Sequence, residues 1–150
     1  MGRLNGKVAI ITGAAGGLGE AQARLFVAEG AKVVMTDILE SGARIAAELG
    51  NSAVFLRHDI SDEARWREVV AAALSSYRRL DDLVNNAAIN HSKLMMQTTA
   101  ADLERGFHVN ALGTMLGMQA AFEALKASGK GAIVNIASAV AYRHTPGLPG

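Results

Sequence analysis

Short apolar runs alternate along the chain with stretches whose apolar residues recur at helical spacing. Lys7-Val8-Ala9-Ile10-Ile11-Thr12 reads as a buried strand closed by glycines. Residues 17–29 follow a helical period, with Leu18, Ala21, Leu25 and Ala28 predicted on one face and Gly30 as its stop. Lys32-Val33-Val34-Met35-Thr36 is a second strand ending at Asp37, and residues 39–49 are a second helix ending at Gly50. Ala53-Val54-Phe55-Leu56 makes a third strand that ends near Asp59. Ser61-Asp62-Glu63 places a cap and acidic groups at the start of a helix with an apolar stripe of Trp66, Val69, Val70, Ala73, Leu74 and Tyr77. Leu83-Val84 begins a short strand that runs into Asn85-Asn86, and a polar loop through Asn90-His91-Ser92-Lys93 follows. Residues 100–127 read as one long helix with Leu103, Phe107 and Ala111 on a shared face, and Ala132-Ile133-Val134-Asn135-Ile136 is a fifth strand before Ser138. Five strands separated by four helices imply right-handed βαβ crossovers, hence a parallel sheet with helices on both faces. The near-continuous apolar strands agree, because parallel strands are buried on both sides.

Composition narrows the class without changing this picture. The chain has 150 residues, half of them hydrophobic and 19% charged, which suits one compact domain with a sizeable core. The net charge is +1, the basic residues are scattered, and Arg78-Arg79 is followed at once by Asp81-Asp82. No partner of nucleic acid or anionic membrane is expected from that distribution. The absence of cysteine removes disulfides, thiolate metal sites and a cysteine nucleophile, and His58, His91, His108 and His144 lack metal-ligand spacing, so no metal is expected. Surface or loop positions are expected for these histidines, with His91 and His144 on loops that border a substrate. No apolar stretch approaches the length of a membrane span, and a cytoplasmic protein is the expectation.

The first turn carries the chemistry. Thr12-Gly13-Ala14-Ala15-Gly16-Gly17-Leu18-Gly19 lies between a strand and a helix, where a glycine-rich pattern can hold a pyrophosphate. Such a ligand needs unblocked backbone N–H groups and the positive end of a helix. Gly13 is expected to make the tight turn, and Gly17 and Gly19 to let the helix start lie against cofactor and sheet. No Gly-Lys-Ser/Thr follows, so the turn is not a P-loop.

Asp37 ends the second strand, 18 residues after Gly19. A carboxylate there can accept hydrogen bonds from both hydroxyls of an adenosine ribose and would repel a 2′-phosphate. Ala14, Ala15 and Gly16 supply no charge to neutralise that phosphate. At about 4 Å and an effective dielectric near 20 the repulsion is of order 4 kcal/mol before screening, and a third of it gives roughly tenfold discrimination. NAD is therefore the expected cofactor.

Taken in order, Thr12-Gly13-x-x-x-Gly17-x-Gly19, Asn85-Asn86-Ala87, Asn110 and Ile133-Val134-Asn135-Ile136-Ala137-Ser138 resemble the short-chain dehydrogenase/reductase family. The texture is closest to bacterial NAD-dependent dehydrogenases of cyclic alcohols and hydroxysteroids. The resemblance implies a Rossmann-type doubly wound parallel α/β sheet, with five strands and four helices present of a larger single domain. It implies that Gly16 and Leu18 face the pyrophosphate, that Asp59 and Ile60 line the adenine pocket, and that Asn86 approaches the nicotinamide ribose. Asn85 would tie central strands together, Asn110 would hold a water of the proton relay, and Ser138 would orient and polarise the oxygen of a small-molecule alcohol or ketone substrate. The activity implied is hydride transfer between nicotinamide and a secondary alcohol or ketone. Related enzymes assemble through the long helix, so a homo-oligomer, dimer or tetramer, is implied as well.

Two departures from the family pattern bear on the site. Ala88 stands where the family usually has glycine, so an added methyl can crowd the cofactor or restrict the backbone. The family's catalytic tyrosine, with a lysine four residues later, is missing. Tyr142 follows Ser138 too closely to replace it and reads as a packed loop aromatic. The expectation is a natural chain that continues past Gly150, with a tyrosine at or within two positions and a lysine four beyond it. The 150 residues alone are expected to show no dehydrogenase activity, while binding NAD weakly. A non-catalytic dinucleotide-binding module is the alternative, although Ser138 and Asn110 have no purpose in a pure binder.

Overall fold

The computed structural model describes residues 2–90 and 93–139. His91, Tyr142 and His144 lie outside the described residues. The elements are β1 (Val8–Thr12), α1 (Gly17–Ala28), β2 (Lys32–Asp37), α2 (Ser41–Leu49), β3 (Ala53–Arg57), α3 (Glu63–Tyr77), β4 (Asp82–Asn85), α4 (Ala100–Gly106), a π-helical segment (Phe107–Gly113), α5 (Thr114–Ser128) and β5 (Ala132–Asn135). All strand pairs are parallel, in the order β3-β2-β1-β4-β5. This is the Rossmann-type doubly wound sheet expected from the alternation of runs.

Side chains of β1 alternate between two cores, as the period of a strand requires. Val8 and Ile10 join Trp66, Val69, Ala73, Leu116 and Leu125 on the face covered by α3 and α5. Ala9 and Ile11 join Ala23, Ile45 and Ala46 on the face covered by α1 and α2. Trp66 anchors the first core. Its indole is fully buried and its Nε1 donates to the Ile60 carbonyl at 2.8 Å. A Cβ on Gly117 would lie 2.6 Å from that ring, so α5 approaches α3 only because position 117 has no side chain. At about 25 cal/mol per Å2, burying roughly 200 Å2 of indole contributes about 5 kcal/mol, more than any local propensity in either helix.

The structure rotates α1 away from the predicted face. Gly19 and Ala23 are its buried residues, while Leu18 and Leu25 are 57% and 53% exposed. A Cβ on Gly19 would stand 2.1 Å from the Gly13 carbonyl oxygen. Close approach of the helix to the glycine turn thus outweighs the burial of two leucines, and small residues take the inner face.

The long helix also differs from the prediction. Its residues 107–113 are π-helical, flanked by α4 and α5. Leu103, Phe107 and Ala111 are all exposed rather than packed on the core. The cause of the interruption is Asn110. Its Oδ1 accepts from the Ile89 N–H and its Nδ2 donates to the Ile89 carbonyl, both at 2.9 Å. Its own carbonyl accepts the Thr114 hydroxyl at 3.0 Å, the side-chain back-bonding that loosens a helical ladder. The third helix begins at Glu63 with Asp62 as its cap, whose carboxylate accepts the N–H groups of Ala64 and Arg65.

Candidate active site

Because every strand is parallel, their C-terminal ends share one edge of the sheet. The strand order reverses between β1 and β4, and the crevice at such a switch point is where doubly wound sheets bind ligands. A cavity of about 480 Å3 opens there. Gly13, Asp37, Asp59, Ile60 and Asn86, five of the predicted cofactor residues, line it. Ala88, Ile89, Arg105, His108 and Val109 belong to the same wall.

The glycine turn is built by backbone geometry. Gly13 has a φ of 66°, a left-handed conformation that favours glycine, and its Cβ would lie 2.9 Å from the Asn86 amide. Gly16 gives α1 no side-chain cap, and the first N–H to reach a helical carbonyl is that of Glu20, on Gly16. The N–H groups of Gly17, Leu18 and Gly19 precede it and have no intrahelical acceptor. That helix end, next to a turn without a side chain, is a place for an anion. Gly16, Gly17, Leu18 and Gly19 are not part of the cavity wall itself but adjoin it, since a Cβ on Gly19 would touch both Gly13 and Asn86.

Thr12 is the hub that the motif reading passed over. Its hydroxyl accepts the N–H groups of Asn86 and Ala87, each at 3.0 Å. In return the Asn86 amide donates to the carbonyls of Thr12 at 2.9 Å and Gly13 at 3.3 Å. The end of β4 is thereby locked to the glycine turn. A buried threonine immediately before the first glycine was the available signal. Asn85 ties β4 to β5, its Nδ2 donating to Asn135 Oδ1 at 2.8 Å.

Asp37 stands at the end of β2. Its Oδ2 accepts the Ala15 N–H and its Oδ1 the Leu39 N–H, both at 3.0 Å, which fixes the carboxylate and leaves lone pairs for a ligand. Asp59 accepts the Ser61 hydroxyl at 2.7 Å and the Ser61 N–H at 2.9 Å. The hydroxyl bond holds its carboxyl below the usual range, so it stays ionised. Ala88 lines the cavity without a positive φ, so the missing glycine imposes no left-handed strain.

His58 is a correction to the expected surface role. It is buried against Trp66, with ring centroids 4.6 Å apart, and its Nδ1 lies 3.3 Å from the Thr36 hydroxyl. Burial, aided by the nearby Arg65 charge, pushes its pKa down to about 4. The folded-state value lies below the unfolded one, so the contribution to stability is present above pH ~6.5 and is lost as pH falls from there towards 4. We expect a loss of up to about 1.4 kcal/mol per pH unit across that window, read from urea midpoints. The slope should flatten in His58→Gln. Equal slopes in the two proteins would assign the loss to other groups.

Ser138 and Asn110 approach the same edge by different routes. Ser138 follows the end of β5 by three residues. Asn110 adjoins Val109 in the π-helical segment, and its side chain is engaged by Ile89, so its visible work is to anchor a cavity-lining loop. That loop is pinned again at Lys93, whose Nζ meets both oxygens of Asp102 at 2.7 Å. Asp102 in turn completes a capping box with Thr99 at the start of α4. Among the described residues no three His, Cys, Asp or Glu side chains are placed to hold a metal ion, and no helix is long and apolar enough to cross a membrane.

Known proteins share this arrangement. The chain is 41% identical over 138 residues to the 3-alpha-(or 20-beta)-hydroxysteroid dehydrogenase of Mycobacterium tuberculosis, covering 91% of this chain and 53% of that protein. It is 41% identical over 149 residues to a 2,5-dichloro-2,5-cyclohexadiene-1,4-diol dehydrogenase of Sphingobium indicum, covering 97% of this chain and 60% of the relative. The chain therefore spans little more than half the length of these curated relatives. The crystal structure of a 3-ketoacyl-(acyl-carrier-protein) reductase from Brucella melitensis, complexed with NADH, superposes with a TM-score of 0.91 at 41% identity, over 97% of this chain and 62% of that one. A model of the short chain dehydrogenase family matches residues 7–150. With that match spanning the glycine turn, the Asn85-Asn86 junction, Asn110 and Ser138, the chain belongs to the short chain dehydrogenase family.

Proposed function

We propose that this protein is an NAD(H)-dependent oxidoreductase acting on a secondary alcohol or ketone of small-molecule size. The observation that carries the reading is the position of Asp37, fixed at the end of β2 on the wall of the switch-point cavity. The residues present fit a dinucleotide. The helix end at Gly17, Leu18 and Gly19 offers donors to a pyrophosphate, and Gly16 keeps the approach open, since nothing lies within 4 Å of where its Cβ would be. Leu18, largely exposed, would be covered by the cofactor. Asp37 accepts the ribose hydroxyls, Asp59 and Ile60 bound the adenine, and Asn86 holds the glycine turn in register beside the nicotinamide ribose. Bound there, the nicotinamide ring supplies or accepts the hydride.

Ser138 donates a hydrogen bond to the substrate oxygen, strongest when that oxygen carries most charge. Asn110 positions the loop at Ile89 and offers the irregular π-helical backbone as a place for a water of the proton path. The exchange of the substrate proton falls to residues C-terminal to Ser138. The NADH held by the Brucella reductase and the alcohol substrates named for the relatives support this reading. It extends to a homo-oligomer formed through α4 and α5, where Leu103, Phe107 and Phe122 are exposed.

Titration of the full-length protein with NADH and NADPH tests the cofactor. NADH should bind at least about tenfold more tightly, from charge repulsion between Asp37 and a 2′-phosphate. Asp37→Ala should weaken NADH and narrow the gap. NADPH binding as tight as NADH would overturn the reading.

A further inference from the structure

Arg105 lies in the last turn of α4, on the wall of the cavity that also holds Asp37 and Asp59. Arg24, Arg65 and Arg79 each reach a carboxylate within the protein. Arg105 makes no hydrogen bond or ion pair with any described residue. Its charge is nevertheless felt by the Asp59 carboxyl, where it adds to the larger effect of the Ser61 hydroxyl, so the guanidinium stands at the Asp59 end of the cavity. A cavity wall with two carboxylates and one guanidinium is less repulsive to an anionic ligand than the carboxylates alone would be. A planar guanidinium without a protein partner also presents a flat cationic face, which suits the π-face of a purine.

We infer that Arg105 is a further cofactor-recognition residue, stacking its guanidinium on the adenine ring while Asp59 and Ile60 bound the ring's edge. The inference rests on the reading of the cavity as a dinucleotide site. It adds a residue outside every motif in the sequence, placed by the C-terminal turn of α4 and not by the glycine turn. It also assigns the guanidinium to the base and not to a 2′-phosphate, because Asp37 already occupies the ribose position.

The test is calorimetric titration of the full-length protein with three probes: 5′-AMP, adenosine 2′,5′-bisphosphate and nicotinamide mononucleotide. Arg105→Met should weaken 5′-AMP about three- to tenfold, the range of a partly desolvated cation–π contact. Nicotinamide mononucleotide, which lacks adenine, should bind parent and variant within about twofold. Arg105→Lys, which keeps the charge and loses the plane, should fall between them. Unchanged 5′-AMP affinity in Arg105→Met overturns the inference, as does an equal loss for nicotinamide mononucleotide. A loss confined to the bisphosphate overturns it too, by assigning Arg105 to a phosphate. If the parent protein binds none of the three probes, the dinucleotide reading itself fails and takes this inference with it.

Discussion

Ser138→Ala in the full-length protein should lower kcat by about 10²-fold or more at saturating cofactor and substrate, the usual cost of deleting one donor aimed at a developing oxyanion. The expectation follows from where Ser138 sits. Three residues after β5 it reaches the C-terminal edge of the sheet, the same edge at which Gly13, Asp37, Asp59 and Asn86 end or follow their strands. A hydroxyl at that place serves the reacting oxygen better in the transition state than in the ground state, so the loss should fall on kcat more than on KM. Ser138→Thr, which keeps a hydroxyl, should retain part of the rate. Asn110→Ala should also lower turnover with NADH affinity little changed, because both hydrogen bonds to Ile89 are lost. Steady-state rates close to those of the parent in both alanine variants would remove the two residues from the site.

Gly19→Ala should destabilise the fold by about 3 kcal/mol, the upper end of the cost of overpacking. The new Cβ would meet the Gly13 carbonyl oxygen at 2.1 Å and the Asn86 amide at 2.7 Å, and a backbone oxygen cannot swing aside as a flexible side chain can. Relief requires α1 to lift from the sheet or the glycine turn to open, and either movement also displaces the donors offered to a pyrophosphate. NADH affinity should therefore drop with stability. Gly17→Ala is the control. Nothing lies within 4 Å of its Cβ, but its φ is +54°, so the expected cost is about 1–2 kcal/mol from backbone strain alone. Chemical denaturation ranks the two, and a Gly19→Ala protein as stable as the parent would contradict the packing described.

The sheet was legible because parallel strands are buried on both faces. Val8–Thr12 and Lys32–Asp37 read as unbroken apolar runs, and the structure ends them within a residue of the predicted limits. The face of α1 was not legible by the same logic. A hydrophobic stripe is found by looking for large side chains, whereas contact with the glycine turn selects for their absence at Gly19 and Ala23. The break in the long helix was hidden for a related reason. Nothing about the residues near Asn110 marks it as a breaker of helices, and its partner at Ile89 is 21 positions away. His58 was misplaced because the strand pattern stops at Arg57, while the chain continues along the sheet with the His58 N–H bonded to the Asp37 carbonyl at 2.8 Å. Among the site residues, those in glycine and asparagine motifs were named in advance. Thr12, Arg105 and His108 were not, since their roles arise from neighbours contributed by other elements.

The π-helical segment makes the distance from Thr99 to Ser128 a fixed count of residues. Adding or removing one residue in an α-helix turns everything after it by roughly 100°. A one-residue deletion within Phe107–Gly113 that restored regular α-helix would therefore swing Gly117 and Leu116 off the Trp66 face and carry β5 and Ser138 away from the sheet edge that they share with the glycine turn. Loops elsewhere in the chain can lengthen or shorten during divergence at small cost. This helix cannot, so related sequences should align across it without gaps even where little of its amino-acid identity is kept.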